Sequence, residues 1–542
     1  MLETREPGVA VIATTPRRSV SIAVLVLLAA GIVLRVVQLL ANRSLWIDEA
    51  ALALNLIHKS ARELAGPLAH GQMAPIAFLW LEKAVASVFG YGEWSLRLVP
   101  FAAGLIALVL FARVARETLE IPGTLVAVGL FALNHRLVYY SSEVKQYETD
   151  AAVSVALLGI AIVLRAPRSR SVVAAMAVLG TLGGWLSEPA CYVLAGVGAS
   201  LLVSAWRRRD RRLAMRGAGL GLWWLATVVP VLRLEQRNLT SADSKILTRY
   251  WSDGLPSTAL GVGRWLRTVV ERDLLYLFEL SQFGTRVRQL TMLVLLAVLV
   301  LGAAVLARRA ADTFVLCAVP LALALGGAAA SLYPLSRRLT LYLLPMLLVI
   351  AGAGVDAVRR RLGSLSAAGL GIALVAVPAA RTLTVVPEHQ EELRPVLTEV
   401  AARATPDDAV YVHYGAVRAF EYYAPRLRLP PRDVVLGCCH LDQWQEEIAA
   451  IRRLAPRPRI WFVFSHFQPG EPEFFAAALD RFGRRLAAVE SHGAAAYLYA
   501  LHPVDDAAVA EVLSRAPAER VRTELNWECV AGILYVAPCG PR

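Results

Sequence analysis

The chain has no GxxxxGK[ST] phosphate loop, no GxSxG nucleophile elbow, no HExxH zinc helix and no dinucleotide fingerprint. These absences set aside P-loop nucleotide hydrolysis, serine-hydrolase chemistry, HExxH metalloprotease chemistry and Rossmann-type hydride transfer. No internal repeat or low-complexity tract stands out, which sets aside solenoids and arrays. Cysteine is scarce, with six in 542 residues. Cys191 and Cys317 fall within apolar runs, where a thiol acts as a small apolar filler. Cys438, Cys439, Cys529 and Cys539 lie in the last third of the chain, where a disulfide from the Cys438/Cys439 pair to the tail is expected if that part is exported. Cys438-Cys439-His440 lacks zinc-ligand spacing.

What the chain has is apolar sequence. Hydrophobic residues make up 57% of it, against about 45–50% in ordinary soluble domains. They are grouped in runs of the roughly 20 residues that cross a hydrocarbon core. Candidate spans are 20–41, 95–112, 122–140, 149–164, 171–187, 189–206, 217–233, 288–307, 311–330, 339–356 and 365–381, about eleven helices. The Gly217-Ala218-Gly219-Leu220-Gly221 run lies inside one of them, and close helix packing is expected there.

With the N-terminus in the cytoplasm, every short inward loop is basic: Arg17/Arg18, Arg113/Arg116, Arg165/Arg168/Arg170, Arg207 to Arg212, Arg308/Arg309 and Arg359 to Arg361. The positive-inside rule therefore accounts for the net charge of +13 without a nucleic-acid partner. Three parts follow: a cytoplasmic N-terminus (1–19), a polytopic membrane domain (20–384) and an extracytoplasmic domain (385–542). In the last, β-type runs at 409–414, 434–437, 460–464 and 494–499 alternate with helical patterns at 444–454 and 473–482, which indicates a small α/β domain. A further helix near 506–514 and a strand near 533–536 complete it.

The chemistry-bearing residues face outward. Asp48 and Glu49 follow the first span directly, and adjacent carboxylates at a bilayer edge are costly unless wet or paired. Beyond them come Gln72-Met73-Ala74-Pro75 and the stretch Ile76 to Phe89, too interrupted by Glu82-Lys83 to span and expected to lie along the interface. The turn at Ser141 to Gln146 brings Glu143 and Lys145. A helix resuming at Glu143 would set Glu143, Tyr147 and Asp150 on one face. Arg337 and Arg338 break the charge rule by placing guanidinium groups outside, which either binding of an exported anion such as phosphate or anchoring to lipid headgroups would explain. Carboxylates to accept a proton and cations to hold a departing phosphate are the parts for a reaction on a lipid-linked phosphate.

At Arg35, Leu45-Trp46-Ile47-Asp48-Glu49-Ala50, Gln72 to Pro75, Gly92 to Pro100, Tyr140 to Tyr147 and, more weakly, Tyr333 to Pro345, the chain resembles the GT-C integral-membrane glycosyltransferases. The resemblance is to bacterial proteins similar to dolichyl-phosphate-mannose protein mannosyltransferases and to lipopolysaccharide-core transferases of the Rgt type. It covers roughly residues 20–384. It implies inverting transfer of one sugar from a polyprenyl-phosphate donor to a hydroxyl of a glycan, lipid or protein, at the non-cytoplasmic face of a bacterial inner membrane. Asp48 would be the general base. Glu49 and Glu143 would orient hydroxyls, Lys145 with Arg337 or Arg338 would neutralise the phosphate, and Gln72 and Tyr147 would line the substrate. Lys145 stands where related sequences often carry arginine, which keeps charge but loses the bidentate fork. Some members of the superfamily use a divalent metal; the sequence assigns neither a metal nor another cofactor. The competing expectations are a lipid-linked glycan transporter or flippase and a membrane-anchored assembly protein.

Overall fold

The computed structural model describes residues 17–163, 170–238, 251–256, 261–280, 284–430, 433–437, 444–455, 457–467, 470–516 and 540–541. The four cysteines considered for a disulfide and the strand expected near 533–536 lie outside the described residues.

Eight described helices are long and apolar enough to cross a membrane: Ile22–Leu40, Leu98–Thr118, Ala190–Arg208, Arg211–Asn238, Thr285–Arg309, Ala311–Ala329, Arg337–Leu362 and Ser364–Val385. The protein is an integral membrane protein. Three further expected spans are occupied by shorter helices, Ile121–Ala132, Tyr147–Val163 and Arg170–Leu186. The run expected as one helix over 122–140 is broken after Ala132. The side chain of Asn134 caps a new helix, His135–Tyr140, by accepting from the Leu137 N–H, while its amide donates to the Leu277 carbonyl. A polar cap at that point outcompetes continuation of the first helix.

The Arg337–Leu362 segment is the hub, with most of its apolar stretch buried, whereas most of Ser364–Val385 is not buried and presents apolar side chains outward. The hub is tight because of glycine. A methyl group at Gly302 or Gly354 would run into the facing backbone of Ile350 or Val298, so the two helices meet backbone to backbone. The Gly217 to Gly221 run does not play this part: Gly217 has ordinary contact with Leu201, and a Cβ at Gly219 or Gly221 would meet nothing. Those two glycines face away from neighbouring helices.

The helix Ile47–His58 lies between the membrane bundle and the second domain, and Ile76–Phe89, with the bounds expected for an interfacial segment, packs beside it. The second domain is a mixed sheet in the order β4-β5-β3-β1-β2-β6. Strands β1 (Ala409–Val412), β2 (Asp433–Leu436) and β3 (Ile460–Ser465) are parallel, and β4 (Gly483–Ser491), β5 (Ala494–Leu501) and β6 (Gly540–Pro541) pair antiparallel. The central strands β1 and β3 are buried throughout, as parallel strands covered on both faces must be. Strand β4 is absent from the sequence expectation; it forms a hairpin with β5 around Gly493, whose φ of +65° is in the left-handed region. Helices Leu393–Arg403 and Val417–Leu427 are also additional. They share one apolar core with the Ile47–His58 helix, through Leu52, Leu56, Val396, Val417 and Phe420 among others. The α/β domain therefore sits on the element that carries Asp48.

Candidate active site

Asp48 and Glu49 occupy the first turn of the Ile47–His58 helix, where the helix dipole favours carboxylates. Being adjacent, they point to different partners. Glu49 turns inward and is fully buried. It takes a bidentate pair from Arg97, at 2.9 Å from Nε and 2.6 Å from Nη2, and accepts the Val144 N–H at 2.9 Å. Burial alone would raise its pKa, but the Arg97 and Arg43 guanidiniums outweigh burial and hold the carboxyl below its ordinary range. Glu49 thus ties the Asp48 helix to the Ser141–Gln146 turn.

Asp48 turns the other way. Its Oδ1 is 3.7 Å from Lys145 Nζ and its Oδ2 is 3.0 Å from Arg338 Nη2. Here too burial pushes the pKa up, and Lys145, Arg338 and the Gln72 amide more than reverse it. Asp48 is therefore ionised at neutral pH and matched by two cations. Lys145 also donates to Gln72 Oε1 at 2.5 Å. Burial and the charge of Arg338 lower the Lys145 pKa, against the pull of Asp48.

Arg338 is held by rings. Its guanidinium carbon is 5.3 Å from the centroids of Tyr147 and Trp251 and 6.0 Å from that of Trp46. Such a cage orients the cation without neutralising it. Arg337 goes elsewhere: it is exposed, its φ is +45°, and its backbone N–H donates to Asp273 Oδ1 at 3.0 Å. Asp273 is itself paired with Arg272 at 3.0 Å, so the left-handed residue is pinned. That reversal separates two sequence neighbours, and only Arg338 reaches Asp48.

The helix resumes at Tyr147, not at Glu143, because residues 141–146 form successive turns. The expected common face of Glu143, Tyr147 and Asp150 does not form. Glu143 is buried, and among the described residues neither of its carboxyl oxygens has a hydrogen-bond partner. Burial, reinforced by the charge of Glu49, pushes its pKa up to about 7.

The structure thus gathers Asp48, Gln72, Lys145, Tyr147 and Arg338. It sets Glu143 beside them, commits Glu49 to Arg97, and leaves Arg337 outside. Arg97 belongs to a motif noted in the sequence but carried no role there. Arg43, whose Nη2 donates to the Ser142 carbonyl at 2.8 Å, and the Trp46 and Trp251 rings were likewise unassigned. Among the described residues no group of three or more His, Cys, Asp or Glu side chains is placed to hold a metal ion. The partners of Asp48 are the cations Lys145 and Arg338, a poor donor set for a divalent ion.

Residues 73–233 match the family model described as dolichyl-phosphate-mannose-protein mannosyltransferase. The chain resembles a GT-C membrane glycosyltransferase. The family-model match takes in Arg97, Glu143, Lys145 and Tyr147 and leaves out Asp48, Gln72 and Arg338. Among solved structures the chain is similar to ArnT from Cupriavidus metallidurans in the apo state, with 16% identity over 89% of this chain and 98% of that one and a TM-score of 0.40. ArnT bound to undecaprenyl phosphate gives 16% identity, the same coverage and a TM-score of 0.38. The Archaeoglobus fulgidus oligosaccharyltransferase in the apo form gives 11% identity over 89% of this chain and 75% of that one, with a TM-score of 0.47. No curated protein matches.

Proposed function

We propose that the chain transfers one sugar from a polyprenyl-phosphate donor to an acceptor hydroxyl on a glycan, lipid or protein, with inversion, at the non-cytoplasmic face of a bacterial plasma membrane. The observation that carries this reading is the placement of Asp48 between Lys145 and Arg338 where the membrane bundle meets the α/β domain. The match of residues 73–233 to the mannosyltransferase family model supports the lipid-phosphate donor class.

In the proposed step the acceptor oxygen attacks the anomeric carbon. The carbon–oxygen bond to phosphate breaks and its electron pair leaves with the lipid phosphate. The acceptor proton passes to Asp48. A phosphate leaving group needs charge neutralisation and no proton, so one carboxylate base suffices. Lys145 and Arg338 meet the growing phosphate charge. These two cations now hold Asp48 down, and a donor phosphate competing for them returns basicity to its carboxylate as the base is needed. Glu143, whose buried carboxyl oxygens have no hydrogen-bond partner among the described residues, takes up a sugar or acceptor hydroxyl in this reading. Glu49 acts through the geometry of the turn.

The test is incubation of the purified full chain with a panel of polyprenyl-phosphate sugars and candidate acceptors, read by mass spectrometry. The expected result is glycosylated acceptor with stoichiometric release of polyprenyl phosphate. An intact donor across the panel, with vesicles showing movement of lipid-linked glycan between leaflets, would replace transfer by transport.

A further inference from the structure

Backbone groups of a loop against a bilayer must each find a partner; in residues 42–47 Arg97 donates to the Arg43 and Ser44 carbonyls, and four other groups find theirs in the α/β domain and its leading segment. The Asn42 carbonyl accepts from Arg394 at 2.6 Å. The Ser44 N–H and hydroxyl both donate to Glu392 Oε2, at 3.1 and 2.8 Å, and the Leu45 N–H donates to the Tyr423 hydroxyl at 2.7 Å. The helix bearing Asp48 also lacks a cap of its own: Trp46 stands at the cap position with no side-chain bond to the first turn. The Ile47 N–H instead donates to Glu391 Oε2 at 3.4 Å, across 344 residues of sequence.

Glu391 is oriented in turn by the end of β3. Ser465 donates to its Oε2 at 3.1 Å, and His466 Nδ1 lies 2.6 Å from its Oε1. His466, with a left-handed φ of +53°, faces Trp46 at a ring separation of 6.5 Å. Trp46 is one of the three rings around Arg338. A continuous path therefore runs from β3 through His466 and Glu391 to the start of the Asp48 helix, and through Trp46 to Arg338.

We propose that Glu391 and His466 are positioning residues, through which the α/β domain caps the Ile47–His58 helix from outside and holds Asp48 opposite Arg338. The inference rests on the reading of Asp48 as the base. It gives the α/β domain a part in the chemical step, in addition to any part in choosing the acceptor.

The experiment uses full-length protein in nanodiscs. Glu391→Ala removes the cap, and a misplaced base costs rate far more than binding, so kcat falls roughly ten- to hundredfold while the donor KM stays within about threefold. Glu391→Gln keeps an acceptor for the Ile47 N–H and recovers most of that loss. His466→Ala shows the same split in kcat and KM as Glu391→Ala, to a smaller degree. Unchanged kcat in Glu391→Ala, or equal losses in the alanine and glutamine variants, overturns the proposal. A second arm needs no turnover: in hydrogen exchange without donor, the amides of residues 44–48 exchange faster in Glu391→Ala while those of β3 match the unsubstituted protein. Unchanged exchange there overturns the proposal even if transfer is intact. Faster exchange in a chain that transfers no sugar refutes the glycosyltransferase reading and leaves the capping in place.

Discussion

Arg338 Nη2 lies 3.0 Å from Asp48 Oδ2, while Arg337, one residue earlier, is exposed and joins the structure through its backbone N–H. The left-handed φ of Arg337 turns one guanidinium toward the carboxylate and the other away, so the two residues have separable roles.

Arg338→Ala should therefore lower kcat/KM for the donor by about 10²-fold or more, the scale of losing one electrostatic contact to a leaving group. Arg337→Ala should change it by less than about threefold, as for an ordinary surface substitution. Arg338→Lys should recover only part of the loss, since the ammonium keeps charge but forfeits the planar fork. Steady-state kinetics on the three variants, at one donor concentration series, separate them. Equal effects at 337 and 338 would contradict the assignment.

The Glu49–Arg97 pair makes a prediction about folding. Both side chains are almost wholly inaccessible, and Glu49 also accepts from the Val144 backbone. Removing one partner leaves an uncompensated buried charge, with a cost of about 3–5 kcal/mol. Arg97→Ala and Glu49→Ala should both lower the melting temperature and the yield of monodisperse protein. In a double-mutant cycle the two losses should fall well short of additive. Additive losses would mean that the pair does not tie the Asp48 helix to the 141–146 turn.

Glu143 makes a prediction about pH. Burial and Glu49 raise its carboxyl from an ordinary 4.5 to about 7. Between those values the folded chain holds a proton that the unfolded chain has released, so this residue costs stability as pH rises through 7. Glu143→Gln removes that slope. Its melting temperature should approach or exceed that of the unsubstituted protein more at pH 8 than at pH 5, by the equivalent of about 3 kcal/mol at most. Thermal unfolding at the two pH values checks it, and a parallel offset at both would show that the carboxyl is not held up.

The apolar runs were legible because hydrocarbon thickness sets their length, and the bounds of the Ile76–Phe89 helix because Pro75 and Gly90 punctuate it. Asp48 and Lys145 could be singled out for a related reason, since polar residues crowded at the ends of apolar helices are rare, whereas Gln72 is reached only through the family resemblance. Less local features were not legible. Nothing in the order Ser336-Arg337-Arg338 says that residue 337 takes a left-handed backbone, since the Asp273 carboxylate that pins it comes from a helix 64 residues away. The Asn134 cap breaks an apolar run that hydropathy reads as continuous. The resemblance gives Glu49 the role of orienting hydroxyls; its commitment to Arg97, 48 residues on, is not visible in the sequence. Glu391 and His466 lie where composition shows only a soluble α/β domain, and their relation to Ile47 and Trp46 exists only once that domain has docked.

The most direct measurement is single-turnover sugar transfer by Asp48→Asn in nanodiscs, with donor, glycosylated acceptor and released polyprenyl phosphate followed together by mass spectrometry. The substitution keeps the shape of the side chain, removes the proton acceptor and leaves Lys145 and Arg338 in place to hold phosphate. The account predicts that donor binding is retained or tightened while transfer falls by about 10²- to 10⁴-fold, the range for loss of a general base. Transfer by the correctly folded variant at the rate of the unsubstituted protein would contradict it.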